Sequence, residues 1–106
     1  MDRLNKRIAL LGVGFFAVFL LSSAVLFMPD GESLFNEQKC MTCHRFKGQG
    51  GMAGPDLTEV TKRRSTVWIV RQIKDPRTHN PASRMPVFDH LNYLEIWAII
   101  SYLKTG

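Results

Sequence analysis

Two cysteines and a histidine lie close together in the segment Cys40-Met41-Thr42-Cys43-His44. This C-x-x-C-H spacing is that of covalent haem attachment. The thiols of Cys40 and Cys43 can add to the two vinyl groups on one side of a porphyrin, and the imidazole of His44 then lies directly under the iron. We therefore expect one covalent haem c, bound by Cys40 and Cys43, with His44 as the proximal ligand.

Two other kinds of site also use a C-x-x-C pair. A thioredoxin-like redox pair requires a βαβ context, which this sequence lacks. A four-ligand zinc site requires a second Cys or His pair, but the remaining histidines, His79 and His90, are 11 residues apart. Haem attachment is therefore the favoured interpretation.

The clearest element beyond the motif is a helix near the end of the sequence. Asn92 is a candidate N-cap and Glu95 its capping-box partner. Apolar residues follow at helical spacing, namely Ile96, Ile99, Ile100 and Leu103. This pattern predicts a helix that buries one face.

Two earlier segments are also predicted to be helical. Residues 31–39 have helical composition and run into the motif. Residues 59–73 form either one helix or two helices broken near Ser65-Thr66, with an end at Asp75-Pro76. No strand pattern of useful length is present.

With these features the sequence resembles the class I monohaem c-type cytochromes, small bacterial members in particular, over residues 30–104. The resemblance is carried by CMTCH, by Gly54-Pro55-Asp56-Leu57, by Met85-Pro86 and by the last helix. It implies an all-α cytochrome c fold, with three to four helices around one haem. It also implies that the first and last helices cross beside the haem, which would pair Leu34 and Phe35 with the last helix. Finally, it implies that the Pro55 carbonyl accepts a hydrogen bond from His44.

Met85 is the favoured ligand on the opposite face of the iron. Pro86 restricts the preceding residue to extended geometry, which suits a ligand presented from a loop. The family resemblance favours the same residue. Met52, His79, His90 and an open iron remain alternatives. Outside that role, Met52 would fill a loop and the two histidines would be ordinary solvated side chains.

The N-terminal part of the sequence has the character of a membrane anchor. Residues 8–28 hold no charge and follow the basic stretch 1–7. As a helix the run would be about 31 Å long, which matches a hydrocarbon core of about 30 Å. A secretory signal cleaved after Ala24 is the alternative. In either case the positive-inside rule sends residues 29–106, the predicted haem domain, across the membrane.

Composition supports a cofactor in this domain. The 106-residue chain has a net charge of +5, whereas residues 29–106 have 11 basic and 8 acidic side chains, a net charge of +3. A domain of this size buries little apolar surface and usually needs a metal, a cofactor or disulfides. The modest charge gives weak support for nucleic-acid binding, and no nucleic-acid motif is present.

Several other features have more than one interpretation. The basic run Lys62-Arg63-Arg64 is either a solvated helix face or a docking patch for an acidic partner or anionic lipid.

Trp97 and Tyr102 are expected in or near the core. The family resemblance also implies polar groups that bond a haem propionate, for which the candidates are Trp68, Arg77 and Arg84. The G-x-G-x-x-A match at residues 48–53 lacks the βαβ unit of a dinucleotide site.

These observations predict a single-pass protein of the bacterial inner membrane with its haem domain on the periplasmic side. We expect it to transfer single electrons without being an enzyme or having a small-molecule substrate. Its predicted partners are the lipid bilayer and subunits of a membrane respiratory complex, or another cytochrome. A soluble periplasmic shuttle and a haem enzyme or gas sensor with an open iron are the alternatives.

Overall fold

A computed structural model describes residues 28–106 of the chain. The predicted anchor, 8–28, and the basic residues before it therefore lie outside the described residues, apart from Met28. Within the part that is described, no helix combines the length and the apolar character needed to cross a bilayer. Residues 28–106 form helices connected by turns, loops and one short hairpin.

Helix α1, Gly31–Glu37, leads towards the C-x-x-C-H motif. Asp30 caps its start, since its carboxylate accepts hydrogen bonds from the Glu32 backbone at 3.2 Å and from the Ser33 hydroxyl at 2.8 Å. The helix was predicted to continue to residue 39, but it ends at Glu37. Lys39 then takes a left-handed conformation with φ 59°, which separates α1 from a 3₁₀ turn at Cys40–Thr42.

The predicted helix over residues 59–73 is two helices. Helix α2 covers Val60–Arg63 and helix α3 covers Thr66–Lys74. Arg64 is extended between them, and the Ser65 hydroxyl accepts a hydrogen bond from the Trp68 backbone at 3.1 Å. The predicted break near Ser65-Thr66 is therefore confirmed, and its cause is a new N-cap. A 3₁₀ turn, Pro76–Thr78, follows α3 directly.

Helix α4, Tyr93–Leu103, has the predicted capping box. The Asn92 side chain accepts from the Glu95 backbone at 2.8 Å, and the Glu95 carboxylate accepts from the Asn92 backbone at 3.0 Å. The predicted apolar face is confirmed, because all four of its members are buried: Ile96, Ile99, Ile100 and Leu103.

Helices α1 and α4 pack against each other and form the centre of the fold. Leu34 and Phe35 are buried in this contact, as expected. Tyr102 packs against Phe35, with ring centroids 5.4 Å apart, and against Phe46, at 5.2 Å. The prediction for Tyr102 is thus confirmed. The prediction for Trp97 is wrong, because its side chain is 52% exposed on the outer side of α4.

A small hairpin follows the motif. Strand β1, Arg45–Phe46, pairs antiparallel with strand β2, Gln49–Gly50, through Lys47 and Gly48. Two residues per strand are too few to produce the alternation by which a strand is recognised in a sequence. The otherwise helical architecture agrees with the fold that the family resemblance implies.

Candidate haem site

The C-x-x-C-H motif lies at one side of an apolar cleft. Cys40 and His44 line this cleft, and Met85 lines it from a distant part of the chain. The other lining residues are Phe35, Leu57, Val60, Trp68, Ile69, Gln72, Ile73, Ile99 and Leu103. Cys43 lies on the same turn but is exposed and does not line the cleft. An apolar cleft that combines a thiol, an imidazole and a thioether fits an iron porphyrin.

His44 is oriented by the backbone. Its Nδ1 donates a hydrogen bond to the carbonyl of Pro55 at 2.7 Å. Because a carbonyl only accepts, the ring proton is on Nδ1, and Nε2 keeps the lone pair needed to bind a metal. Gly54 allows this approach, since a Cβ there would lie 2.8 Å from Cε1 and 2.9 Å from Nδ1 of His44. The structure thus contains the hydrogen bond that the family resemblance implies.

The loop that carries Pro55 is stabilised by an arginine. Arg63 donates hydrogen bonds to the carbonyls of Asp56, at 2.9 Å, and Thr58, at 2.7 Å. The Asp56 carboxylate also accepts from the Thr58 backbone at 2.8 Å. Hydrogen bonding by Thr58 lowers the pKa of Asp56 from its ordinary value. The role of Arg63 was not predicted, because backbone carbonyl partners leave no signature in a sequence.

Met85 has a polar neighbour that sequence analysis also missed. The Gln72 side chain donates its amide N–H to the Met85 sulfur at 3.4 Å. The Gln72 amide oxygen accepts a hydrogen bond from Nδ1 of His79 at 2.8 Å, which fixes the orientation of the amide. Helical spacing could have placed Gln72 at the site. It follows Trp68 at i+4, on the face of α3 that also presents Ile69 and Ile73 to the cleft.

The other candidate ligands occupy different surroundings. Met52 is 83% exposed and His90 is exposed, with its Nε2 2.9 Å from the Gln38 side-chain oxygen. Neither lines the cleft. His79 is half-buried and stacks on Trp68 with ring centroids 4.2 Å apart. The expectation that His79 is an ordinary solvated side chain is therefore wrong.

The basic run makes contacts within the chain. Lys62 forms an exposed ion pair with Glu59 at 3.2 Å, and the Arg64 guanidinium lies 4.3 Å from the centre of the Trp68 ring. Arg63 is bonded to the Pro55 loop, as described above. Each member of the run therefore has a local partner, which distinguishes the run from a uniformly solvated helix face.

The attachment cysteines differ in environment. Burial raises the pKa of the Cys40 thiol to about 11. In the chain without thioether bonds this thiol is therefore protonated at neutral pH, and it lies among the apolar residues of the cleft. Cys43, in contrast, is exposed to solvent.

The sequence profile named Cytochrome c matches residues 29–106. The match covers most of the chain, and the chain therefore belongs to the cytochrome c family, as a class I c-type cytochrome. Its cofactor is covalently bound haem c, for which Cys40, Cys43 and His44 supply the attachment motif. Electron transfer is the function that this family membership implies.

A curated protein is also similar to the chain. Cytochrome c oxidase subunit 2 of Alkalihalophilus pseudofirmus is 26% identical over 84 residues. The similarity covers 72% of this chain and 25% of that relative. The chain thus spans about a quarter of the relative's length.

Proposed function

We propose that this chain is a membrane-anchored one-electron carrier whose haem iron is bound by Nε2 of His44 and by the sulfur of Met85. The observation that carries this proposal is that both side chains line the same apolar cleft as Cys40. The bound iron supplies an Fe(III)/Fe(II) couple.

The surroundings of the two proposed ligands suit a carrier. The Pro55 carbonyl holds His44 in one tautomer and one orientation, which limits ligand rearrangement between the two oxidation states. A neutral thioether is a soft ligand that favours ferrous iron, so Met85 would raise the reduction potential relative to a second imidazole. If His44 and Met85 both hold the iron, no position would remain on it for a substrate.

We further propose that residues 8–28 anchor the haem domain at the periplasmic face of the bacterial inner membrane. The support is the uncharged run of residues and the basic stretch 1–7 before it. A short connection to α1 would hold the domain at the bilayer, which suits a partner in the same membrane better than long-range diffusion. The similarity to a subunit of a cytochrome c oxidase supports a respiratory complex as that partner.

Isolation of the native protein tests this location. Membranes are washed at high salt and then solubilised in mild detergent, and the chain is recovered through an affinity tag placed after Gly106. We expect the chain in the membrane fraction, with an N-terminus before the apolar run, together with subunits of a respiratory complex. Recovery in the soluble fraction with an N-terminus just after Ala24 would show a released shuttle instead.

A further inference from the structure

Helix α4 presents apolar side chains to solvent on the side that faces away from the core. Tyr93 is 71% exposed, Leu94 48% and Trp97 52%. We call these three residues the aromatic face. At about 100° per residue, they and the exposed Ser101 and Lys104 occupy one arc roughly 100° wide on the helix.

Two lysines accompany the aromatic face. The Lys74 ammonium lies 4.7 Å from the centre of the Tyr93 ring, and the Lys104 ammonium lies 5.8 Å from that of Trp97. The one acidic side chain of α4, Glu95, is engaged in the capping box. Tyrosine and tryptophan side chains with lysines beside them are typical of surfaces at the boundary between lipid and water. The aromatic rings lie at the level of the headgroups there, and the ammonium groups reach the lipid phosphates.

The chain enters the fold beside this face. Met28 and Pro29 border a shallow pocket with Ala98 and Ser101 of α4. Helix α1 begins directly against α4, since a Cβ on Gly31 would overlap the Ala98 carbonyl. Met28 is the last residue of the predicted anchor, and the residues between it and Gly31 extend at most about 10 Å. The end of the anchor and the aromatic face thus lie on the same side of the domain.

The haem cleft lies on the other side of α4. Ile99 and Leu103 line the cleft. At about 100° per residue, they project roughly 120–160° away from Trp97 around the helix axis. A surface in contact with the aromatic face would therefore leave the cleft free.

We propose that the aromatic face rests on the headgroup layer of an anionic lipid bilayer, with Trp97 and Tyr93 at the interface and Lys74 and Lys104 at lipid phosphates. This inference rests on the proposed anchoring of residues 8–28. It assigns the domain a fixed orientation in which the cleft faces away from the bilayer, towards the periplasmic part of a partner in the same membrane.

The test measures how close each tryptophan lies to lipid headgroups. The full chain is labelled with fluorotryptophan, placed in nanodiscs of phosphatidylcholine and phosphatidylglycerol, and kept in the ferrous state. Its two fluorine resonances, from Trp68 and Trp97, are assigned with Trp97→Phe. Lipid carrying a headgroup spin label should broaden the Trp97 resonance at least about 3-fold more than the Trp68 resonance. Equal broadening, or none, would overturn the proposal.

Substitution of the two lysines by glutamine tests their role in lipid contact. The double variant Lys74→Gln, Lys104→Gln should lose at least half of the Trp97 broadening, whereas Lys62→Gln, which removes a lysine elsewhere, should retain it. Equal effects of the two substitutions would contradict an electrostatic contact with phosphates. Failure of the chain to enter nanodiscs would overturn the anchored carrier itself, whereas entry with an unaffected Trp97 would overturn the lipid-facing surface alone.

Discussion

His44 and Met85 line the same cleft although they belong to different loops, and the side chain of each has a polar neighbour that positions it. For His44 this neighbour is the Pro55 carbonyl, and for Met85 it is the Gln72 amide. The two contacts differ in strength, because a carbonyl is a good acceptor for an imidazole N–H while a thioether sulfur is a weak one.

Met85→Ala tests the proposed ligand. We expect the weak sulfur-to-iron charge-transfer band of the ferric protein to disappear and the midpoint potential to fall by about 0.1 V or more, within the ~0.8 V range that axial ligands control. The measurements are the visible spectrum and a redox titration. Met52→Ala is the control, since Met52 is exposed and outside the cleft, and it should change neither property. If Met85→Ala leaves both unchanged, Met85 is not the ligand.

Gln72→Leu tests the contact with the sulfur. Loss of one hydrogen bond worth about 0.5–1.5 kcal/mol should make Met85 easier to displace, so that added imidazole binds the ferric protein about 2- to 10-fold more tightly. The measurement is a spectroscopic imidazole titration. Arg71→Leu changes the exposed neighbour on α3 and should leave the affinity as in the unmodified protein. Equal affinities for Gln72→Leu and the unmodified chain would refute the positioning role.

The site residues differ in how far the sequence predicts them. Cys40, Cys43 and His44 lie within five consecutive residues, so their spacing alone suggests the chemistry. Gln72 and Arg63 act on partners that are distant in sequence or belong to the backbone. Such contacts form only in the folded chain, and no motif or residue spacing in the sequence reveals them.

At the level of elements, the loop from Pro55 to Thr58 connects the hairpin to α2 and sets the position of His44. Arg63, at the end of α2, bonds two carbonyls of this loop. The short helix α2 thus contributes to the site through its last residue, although it lies outside the attachment motif.

Arg63→Gln should weaken this loop. Loss of two hydrogen bonds from a charged donor at an exposed site is expected to lower the free energy of unfolding by about 1–2 kcal/mol. Guanidinium unfolding, followed by tryptophan fluorescence, measures this change. Lys62→Gln is the control, because it removes an exposed ion pair next to Arg63. It should lower the free energy of unfolding by no more than about 0.5 kcal/mol. A cost for Arg63→Gln no larger than that of Lys62→Gln would argue against the loop contact.

Asp56→Asn should change how stability depends on pH. Hydrogen bonding by Thr58 lowers the pKa of Asp56 in the folded chain. The ionised Asp56 carboxylate therefore contributes fully to the free energy of unfolding above the pKa that it has in the unfolded chain, near 4. This contribution is lost as the pH falls through the lower pKa that it has in the folded chain. Guanidinium midpoints measured between pH 3 and 6 should fall less steeply towards acid in Asp56→Asn than in the unmodified chain. Parallel pH profiles would show that Asp56 has no such role.

Local signals predicted the helices better than their ends. The capping box of Asn92 and Glu95 and the cap at Ser65 depend on neighbouring residues, and the structure contains them. Helix α1 stops at Glu37 because Lys39 turns the chain into the attachment motif, a requirement set by the site rather than by helix propensity. Trp97 was expected in or near the core because it is a large aromatic residue, although helical spacing places it roughly 110° from the centre of the buried face of α4.

At the scale of the whole molecule, the cleft is lined by every α-helix of the described segment and by the loop that carries Met85. A porphyrin in this position would contact most of the elements at once and enlarge a small apolar core. The cofactor would thereby provide the stabilisation that a domain of this size otherwise lacks. The same contacts would restrict access of small molecules to the iron, which suits electron transfer rather than the binding of a substrate.

Carbon monoxide binding to the full ferrous chain at neutral pH tests most directly whether the iron is closed by the protein. With His44 and Met85 on its two sides, the ferrous spectrum should remain unchanged when carbon monoxide is added. Rapid stoichiometric binding would reveal an open iron and contradict an electron carrier with both axial positions filled.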